Sequence, residues 1–329
     1  MDDRDSLTPF RFTGEGGEYF KIWIVNVALT ILTLGVYSAW AKVRRERYFY
    51  GNTWLGDHAF EYLASPTEIL KGRAIVFAVL LASAAIAHYY PLAESVLGLL
   101  ILIATPWVVV KALQFRMRKS AFRNIRFNFD GTVWEAAKAY LWWPFWMPFT
   151  LGLLLPYVIY RQKKLRVANS RYGTTPFSFQ ARAGDFYGIS GMLLVIAIGG
   201  GVLALLLGLA IPAVGAAVVS VPLAFFLYAY FQSRVQNVLF NHTRLGGHGF
   251  QSHLEAGPLF WIYLTNALGM ALTVGLYAPW AQVRLARYRA ERLALAGERD
   301  LDAFVADQVA RVGSLGEEMS EAFDMDIGL

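Results

Sequence analysis

One block of twelve residues occurs three times along the chain, and it constrains the fold more than any other feature. Each copy begins with threonine, an apolar residue and glycine, carries an aromatic residue seven positions after the threonine, and ends in arginine. The copies cover residues 33–44, 150–161 and 273–284, at spacings of 117 and 123 residues. Self-similarity at a nearly fixed spacing indicates a repeated structural unit. The sequence therefore predicts one unit that is built about two and a half times.

The flanks of the block repeat as well. An aromatic, turn-rich lead-in precedes each copy, at residues 10–14, 127–131 and, more loosely, 250–252. A short block beginning with asparagine follows the first two copies, at residues 52–56 and 169–173, and two apolar spans come after each. We therefore expect four parts, namely repeat 1 at residues 1–123, repeat 2 at 124–244, a partial repeat 3 with only its first element at 245–292, and an acidic cytoplasmic tail at 293–329.

Long uncharged runs indicate a membrane protein. The chain has 56% apolar and 16% charged residues, whereas a soluble domain usually has about 25% charged residues. Residues 187–230 hold no charge at all, and one bilayer crossing needs about 20 mostly apolar residues. The apolar runs predict four crossings, at residues 69–87, 92–113, 187–209 and 212–230.

Cysteine content, the polar N-terminal residues and net charge exclude several classes of function. The chain has no cysteine, which excludes disulfides, thiolate metal sites and cysteine nucleophiles. The first 18 residues are polar and acidic, unlike a cleaved signal peptide, so we expect the first apolar segment to stay in the mature protein. The net charge is +6, but the basic residues flank membrane segments, where they set orientation. We therefore expect no nucleic-acid partner.

The loops divide sharply into basic and uncharged ones. Lys and Arg number six in residues 42–73, five in 115–126, six in 161–182 and four in 284–292, and none in 88–93 or 208–215. Short cytoplasmic loops are the ones enriched in Lys and Arg. All the basic loops can face the cytoplasm only if the repeated segment enters and leaves the membrane on that side. We therefore expect both termini to be cytoplasmic.

The repeated segment is too short and too broken to cross the bilayer in one pass. Residues 19–33 span ~22 Å as a helix, against a ~30 Å hydrocarbon core. Glycine interrupts all three copies, and proline interrupts the second and third as well. This favours a re-entrant helical hairpin, shielded from lipid where its backbone is irregular. The candidate hairpin-turn residues are Thr33, Gly35, Thr150, Gly152, Thr273 and Gly275.

These patterns predict an all-α polytopic membrane protein. It would have four transmembrane helices, three re-entrant helical hairpins and short cytoplasmic β-like elements. Seven plain crossings with proline kinks are the alternative, and the sequence leaves that alternative open.

The repeated blocks also carry a family resemblance. The blocks at residues 33–44 and 52–56 and the ending at 323–329 together resemble the YjgN family of bacterial inner-membrane proteins, over nearly the whole chain. The resemblance implies a multi-pass protein of the bacterial cytoplasmic (inner) membrane. It supplies no chemistry, because the family is defined by sequence, and no catalytic residue is carried over.

Two groups of side chains are candidates for binding. Within the repeated segments, the candidate ligand-binding residues are Asn26, Asn266, Trp40 and Trp280; for the two Asn residues the alternative is a hydrogen bond between packed helices. Basic residues after the hairpins are candidates for lipid head-group binding, or they only orient the chain. They include Arg44, Arg45, Arg47, Lys163, Lys164, Arg284 and Arg287.

No motif in the chain indicates a reaction. The spacing of His242, His248 and His253 matches no metal motif, and nucleotide and nucleophile motifs are absent. We expect no cofactor, no metal and no enzymatic activity.

Two functional classes therefore remain. The first is a non-catalytic scaffold or adaptor that binds lipid on its cytoplasmic side, or a membrane partner through the acidic C-terminal tail. The second is a transporter or lipid-moving protein with a site at the broken hairpins. The lack of acidic residues in the middle of the predicted crossings favours the first, since ion-coupled transport usually needs them.

Overall fold

The computed structural model describes residues 6–212, 214–297 and 301–326. Ten short strands within these residues form a closed antiparallel barrel in the order β1-β10-β9-β8-β7-β6-β5-β4-β3-β2. The strands are β1 Ser6–Phe12, β2 Thr53–Leu55, β3 His58–Tyr62, β4 Ser120–Phe122, β5 Ile125–Phe129, β6 Ser170–Tyr172, β7 Thr175–Phe179, β8 Thr243–Leu245, β9 His248–Ser252 and β10 Leu293–Gly297.

The barrel shows that the prediction of an all-α protein is wrong. Its strands have only three to seven residues each, too few for an alternating pattern to stand out from a loop. Most of their pairing is also non-local. Strand β1 pairs with β10 through Ser6↔Gly297 and with β2 through Phe10↔Leu55. Closure leaves no strand edge unpaired, which is how a barrel avoids edge-to-edge association.

Helices make up most of the rest of the described chain. They are α1 Gly16–Leu32, α2 Ser38–Gly51, α3 Pro66–Tyr89, α4 Pro91–Arg118, α5 Val133–Ala137, α6 Trp143–Phe145, α7 Leu155–Ala168, α8 Ala183–Ala210, α9 Gly215–Asn241, α10 Ala256–Leu272, α11 Ala278–Glu291 and α12 Leu301–Asp326. Among the described residues, four segments are long and apolar enough to cross a membrane. They lie in α3, α4, α8 and α9, where the sequence predicts the four crossings.

The three copies of the repeated block form helix–turn–helix units. Hairpin 1 consists of α1 and α2, and hairpin 3 consists of α10 and α11. Hairpin 2 runs from α5 to α7 and is less regular, because a π-helical turn, the short α6 and a 3₁₀ turn lie between them. Its prolines explain the irregularity, since each removes a backbone donor and clashes with the preceding turn.

Every helical segment from α1 to α11 begins and ends at neighbouring strands of the barrel. Strands β1 and β2 flank hairpin 1, β5 and β6 flank hairpin 2, and β9 and β10 flank hairpin 3. The pair α3/α4 lies between β3 and β4, and the pair α8/α9 lies between β7 and β8. These five helical segments therefore leave from one end of the barrel, and the four tight β-turns lie at the other end.

Aromatic rings fill the barrel. Neighbouring ring centroids lie 4.8–6.4 Å apart along a chain of seven side chains, and together with apolar residues they form the largest buried cluster. Rings at these distances pack favourably in offset or tilted arrangements. The seven are Phe10, Phe60, Phe122, Tyr172, Phe127, Phe177 and Phe250.

Helix α12 packs against the turn end of the barrel. The ring of Phe304 lies 6.3 Å from the Tyr172 ring and 4.8 Å from the His248 ring. The buried Gln308 accepts hydrogen bonds from the backbone N–H and the hydroxyl of Thr174, at 3.2 and 3.0 Å. Part of the expected acidic tail is therefore strand β10, and the first turns of α12 dock on the chain's own barrel.

An arginine in a β-turn also contacts α12. Arg123 and Asn124 form the β4–β5 turn with φ of 50° and 64°, whereas the other three β-turns have a glycine at the first of these positions. Left-handed backbone is costly for a residue other than glycine. Arg123 instead forms a salt bridge with Asp302 at the start of α12. The Arg123 side chain thus helps to hold α12 on the barrel, which a glycine at this position could not do.

We predict that Phe304→Ala loosens α12 from the barrel. The half-buried ring contributes about 2 kcal/mol, below the range for a fully buried phenylalanine. Thermal unfolding in detergent should occur at a lower temperature, and the α12 amides should exchange faster with deuterium. Ala306→Ser, on the exposed face of the same helix, is the control. Equal exchange in the two variants would contradict the docking of α12.

Candidate functional site

Each hairpin turns at a threonine that bonds to both sides of the turn. The hydroxyl of Thr33 donates to the Leu29 carbonyl at 2.7 Å and accepts from the Tyr37 backbone N–H at 2.9 Å. Thr273 makes the equivalent bonds in hairpin 3, at the same two distances. In hairpin 2, Thr150 donates to the Met147 carbonyl at 3.1 Å. The hydroxyl replaces a backbone partner that the turn removes.

The residue after each threonine forms an exposed apolar tip. Leu34, Leu151 and Val274 are 92–95% exposed and have φ near +50°. Left-handed backbone at a bulky or β-branched residue is a genuine outlier, which strains the chain. The next residues, Gly35, Gly152 and Gly275, have φ of 83–92°, where glycine has no steric penalty. All six predicted hairpin-turn residues therefore lie in or next to these tips.

A groove in hairpin 1 combines basic and apolar side chains. It has a volume of about 360 Å³ and lies between α1, α2 and the first turns of α3. One wall is apolar, with Trp23, Val27 and Ile31. The other is polar and is formed by Asn26, Ser38, Lys42, Arg45 and Arg73. We call this space the hairpin 1 groove.

The polar wall of the hairpin 1 groove contains an unsatisfied acceptor. Asn26 is only 6% exposed, and its Oδ1 atom has no hydrogen-bond partner within the described chain. Arg73 donates to the Ser38 hydroxyl, and Arg45 forms a salt bridge with Glu46 at 2.7 Å. Buried polar atoms without a partner are rare in native structures, and each one needs an explanation.

The matching asparagine of hairpin 3 is satisfied. Asn266 is also buried, and its Nδ2 donates to the Ala281 carbonyl at 3.3 Å. Its Oδ1 accepts from Arg284, which also donates to Thr265. A hydrogen bond between packed helices is the alternative to ligand binding that the sequence leaves open for Asn26 and Asn266. The positions that correspond to Ser38, Lys42 and Arg45 are Ala278, Gln282 and Leu285.

A second groove lies where hairpin 3 meets hairpin 1. It has a volume of about 750 Å³, and Trp280 lies in its wall. The Trp280 ring stacks on Phe20 of α1 at 5.0 Å. Arg287 donates to the Gly14 carbonyl at 2.8 Å and so ties α11 to the lead-in of α1. Trp40 occupies the matching position in hairpin 1 but packs instead with the cluster under α3. The two tryptophans therefore contact different elements of the fold.

The remaining basic candidates lie along the second helices of the hairpins. Arg44 donates to the Tyr37 hydroxyl at 3.1 Å, and Arg47 donates to the Ala64 carbonyl at 3.4 Å. The Lys164 ammonium lies 5.8 Å from the centre of the Tyr160 ring. Burial lowers the pKa of Lys163, and the nearby Arg166 lowers it further. Sequence reasoning left Lys42 and Arg73 out of the candidate site, although a position-by-position comparison of repeats 1 and 3 singles out Lys42.

No group of three or more His, Asp or Glu side chains within residues 6–212, 214–297 and 301–326 could hold a metal ion. The two grooves and the apolar tips are the features described above that offer a ligand a surface.

Comparisons with known proteins identify relatives of this chain. The family described as "Bacterial protein of unknown function (DUF898)" matches residues 7–322. Inner membrane protein YjgN of Salmonella typhimurium is 36% identical over 151 residues, which is 45% of this chain and 37% of the relative. Inner membrane protein YjgN of Escherichia coli is 30% identical over 162 residues, 49% of this chain and 40% of the relative. The matched part thus spans less than half the length of these curated relatives. No solved structure matches.

We predict opposite effects for two adjacent glycines at the start of α1. A Cβ on Gly16 would lie 2.2 Å from the Trp280 ring, whereas a Cβ on Gly17 would meet nothing within 4 Å. Gly16→Ala should lower the free energy of unfolding by about 1–3 kcal/mol through overpacking. Gly17→Ala should leave it unchanged or raise it by up to about 1 kcal/mol. Chemical denaturation in detergent measures both. Equal stability of the two variants would show that Trp280 does not pack on Gly16.

Proposed function

This chain belongs to the DUF898 family of bacterial proteins, and we propose that it is a non-catalytic scaffold that binds lipid in the cytoplasmic leaflet through its hairpins. The chain is an integral protein of the bacterial inner membrane. This follows from its similarity to relatives named as inner membrane proteins and from its four long apolar helices.

The closed barrel carries the proposal, because it fixes where each helical segment must end. Neighbouring strands lie about 4.8 Å apart, so a segment that leaves one strand must return to the same side of the membrane to reach the next. Each of the five segments must therefore cross an even number of times or not at all. The pairs α3/α4 and α8/α9, of 24 to 28 residues per helix, are long enough to cross and return.

The hairpins are too short to do the same. Helices α1 and α10 have 17 residues and α2 and α11 have 14, which correspond to ~25 and ~21 Å, below the ~30 Å core. Since each hairpin also returns to the barrel, its length supports insertion part of the way into one leaflet. Seven single crossings would place half of the barrel strands on the wrong side.

The charge distribution supports the cytoplasmic side for the barrel. The basic segments counted in the sequence all join the helices to the barrel, whereas the connections α3–α4 and α8–α9 carry no Lys or Arg. By the positive-inside rule the barrel then faces the cytoplasm. In this orientation the start of β1 and the first turns of α12, which lie at the turn end of the barrel, are cytoplasmic as well.

The tips of the hairpins gain from contact with lipid. Burying an exposed leucine or valine contributes about 1.5–3 kcal/mol, and left-handed backbone costs about 1–2 kcal/mol per residue. Insertion of Leu34, Leu151 and Val274 among acyl chains therefore offsets the strain at each tip. The sequence predicts that these turns are shielded from lipid, but their side chains are exposed. Their backbone N–H groups are instead bonded within the turn, as at Leu34, Gly35 and Tyr37 of hairpin 1, which lowers the cost of placing them in lipid. Large exposed apolar tips of this kind are otherwise a liability for a protein surface.

The proposed topology predicts which positions of the chain can be labelled from outside intact cells. The chain has no native cysteine, so a single introduced one reports alone. Ala168→Cys, at the end of α7, should resist a membrane-impermeant maleimide from outside and react after permeabilisation. Tyr90→Cys, at the exposed α3–α4 connection, is the control and should react from outside. Labelling of residue 168 from outside would contradict the proposed topology.

We also predict that the tips lie among lipid tails. A bimane probe on Leu34→Cys should be quenched by phospholipids with a nitroxide on the acyl chain. The same probe on Asp57→Cys, in the exposed β2–β3 turn, should not be quenched. Equal quenching at the two positions would show that hairpin 1 does not enter the leaflet.

A further inference from the structure

We propose that the hairpin 1 groove binds one anionic phospholipid whose head group carries a free hydroxyl, as in phosphatidylglycerol. This proposal rests on the proposed function, because the lipid can reach the groove only if hairpin 1 lies in the leaflet. It goes further in naming one site and one class of lipid.

The unsatisfied acceptor sets the first requirement. The Oδ1 atom of Asn26 is buried in the wall of the groove without a partner from the described chain. A buried acceptor is costly unless a donor reaches it. A ligand that brings an O–H or N–H group to this atom, after a rotation of the Asn26 amide that turns Oδ1 toward the groove, would remove this cost.

The surrounding charge sets the second requirement. Lys42, Arg45 and Arg73 line the same groove, and within the described part of the chain only Arg45 is paired with a carboxylate, that of Glu46. Lys42 and Arg73 leave a cationic surface, which attracts phosphate. The same surface repels an ammonium group, so the donor for Asn26 should be a neutral hydroxyl. A phosphate with a hydroxyl-bearing head group meets both requirements, and an ethanolamine head group does not.

The apolar wall accounts for the rest of a lipid. Trp23, Val27 and Ile31 lie on α1 at helical spacing, and Val27 and Ile31 lead from Asn26 toward the tip at Leu34. An acyl chain can follow this stripe while the head group stays at Asn26. The groove volume of about 360 Å³ suits a head group, since ligand pockets usually measure about 300–1,000 Å³.

Hairpin 3 shows what the same unit looks like without such a site. There Arg284 occupies Asn266 Oδ1, and the two basic positions are Gln282 and Leu285. Gln282 lies within 3.4 Å of the Tyr19 hydroxyl, which donates to it. In hairpin 3 an arginine of the same hairpin thus donates to the asparagine, whereas in hairpin 1 the asparagine Oδ1 has no donor within the described chain and lies beside cations.

Native mass spectrometry of the full chain, released from nanodiscs of defined composition, tests the proposal. The probes are phosphatidylglycerol, phosphatidylmethanol, which is anionic but has no hydroxyl, and phosphatidylethanolamine. Wild-type protein should retain one phosphatidylglycerol about tenfold more tightly than phosphatidylmethanol, the effect expected of one added hydrogen bond. It should bind phosphatidylethanolamine more weakly than either anionic lipid.

Two variants separate the two requirements. Asn26→Leu should abolish the preference for phosphatidylglycerol over phosphatidylmethanol but keep the preference for anionic lipids. Lys42→Gln, which introduces the residue of hairpin 3, should weaken binding of both anionic lipids. Asn266→Leu is the matched control and should change neither preference. Thermal unfolding identifies any variant that fails to fold, and Lys42→Gln, at an exposed position, tests the site independently of Asn26.

Equal retention of phosphatidylglycerol and phosphatidylmethanol by the wild-type protein would overturn the proposal. So would a preference that persists in Asn26→Leu. Neither result affects the bimane measurement at residue 34. Quenching there without lipid preference leaves the inserted scaffold intact and removes only the specific site, whereas loss of quenching removes the proposed function itself.

Discussion

Backbone hydrogen bonding between the strands that flank each helical segment governs the rest of the structure. Only 6–11% of each long apolar segment is buried within the protein. These helices contact one another, as where Leu223 of α9 lies beside Gly200 of α8, and the ladder from β1 to β10 holds their ends. A barrel of very short strands can do so because closure satisfies every edge and aromatic rings fill its interior.

The sequence predicts the features that depend on neighbouring residues, but it does not predict those that depend on contacts between distant parts of the chain. The four spans and the turns at Thr33, Thr150 and Thr273 follow from apolar runs and from a repeated motif. The lead-ins with Phe10 and Phe127 were recognised as repeats, yet their strand character depends on partners elsewhere in the chain, as in the pairing of Ser6 with Gly297. In the candidate site, comparison of the repeats found Asn26, but Arg73 reaches the groove from a different helix, which no local pattern encodes.

Divergence between the repeats explains the two grooves. After hairpin 3 the chain continues into β10 and α12, without the pair of spanning helices that follows the other hairpins. Hairpin 3 therefore packs directly on α1, where Trp280 stacks on Phe20. Hairpin 1 meets α3 on its other side, and Arg73 of that helix adds a charge that hairpin 3 has no means to acquire. Corresponding hairpins thus have different surroundings, because different helices lie next to them around the barrel.

The pairing of the first strand with the last has a consequence for biosynthesis. During translation, strands β2 to β9 can pair with their neighbours as they emerge, but residues Ser6–Pro9 have no partner until β10 has been made. The long apolar helices are therefore made while β1 still lacks this partner and the barrel is an open sheet with two free edges. Such long-range closure is intrinsically slow. Helix α12 leaves the ribosome after the last strand, and so it can cover the turn end only when the ring of strands is ready to close.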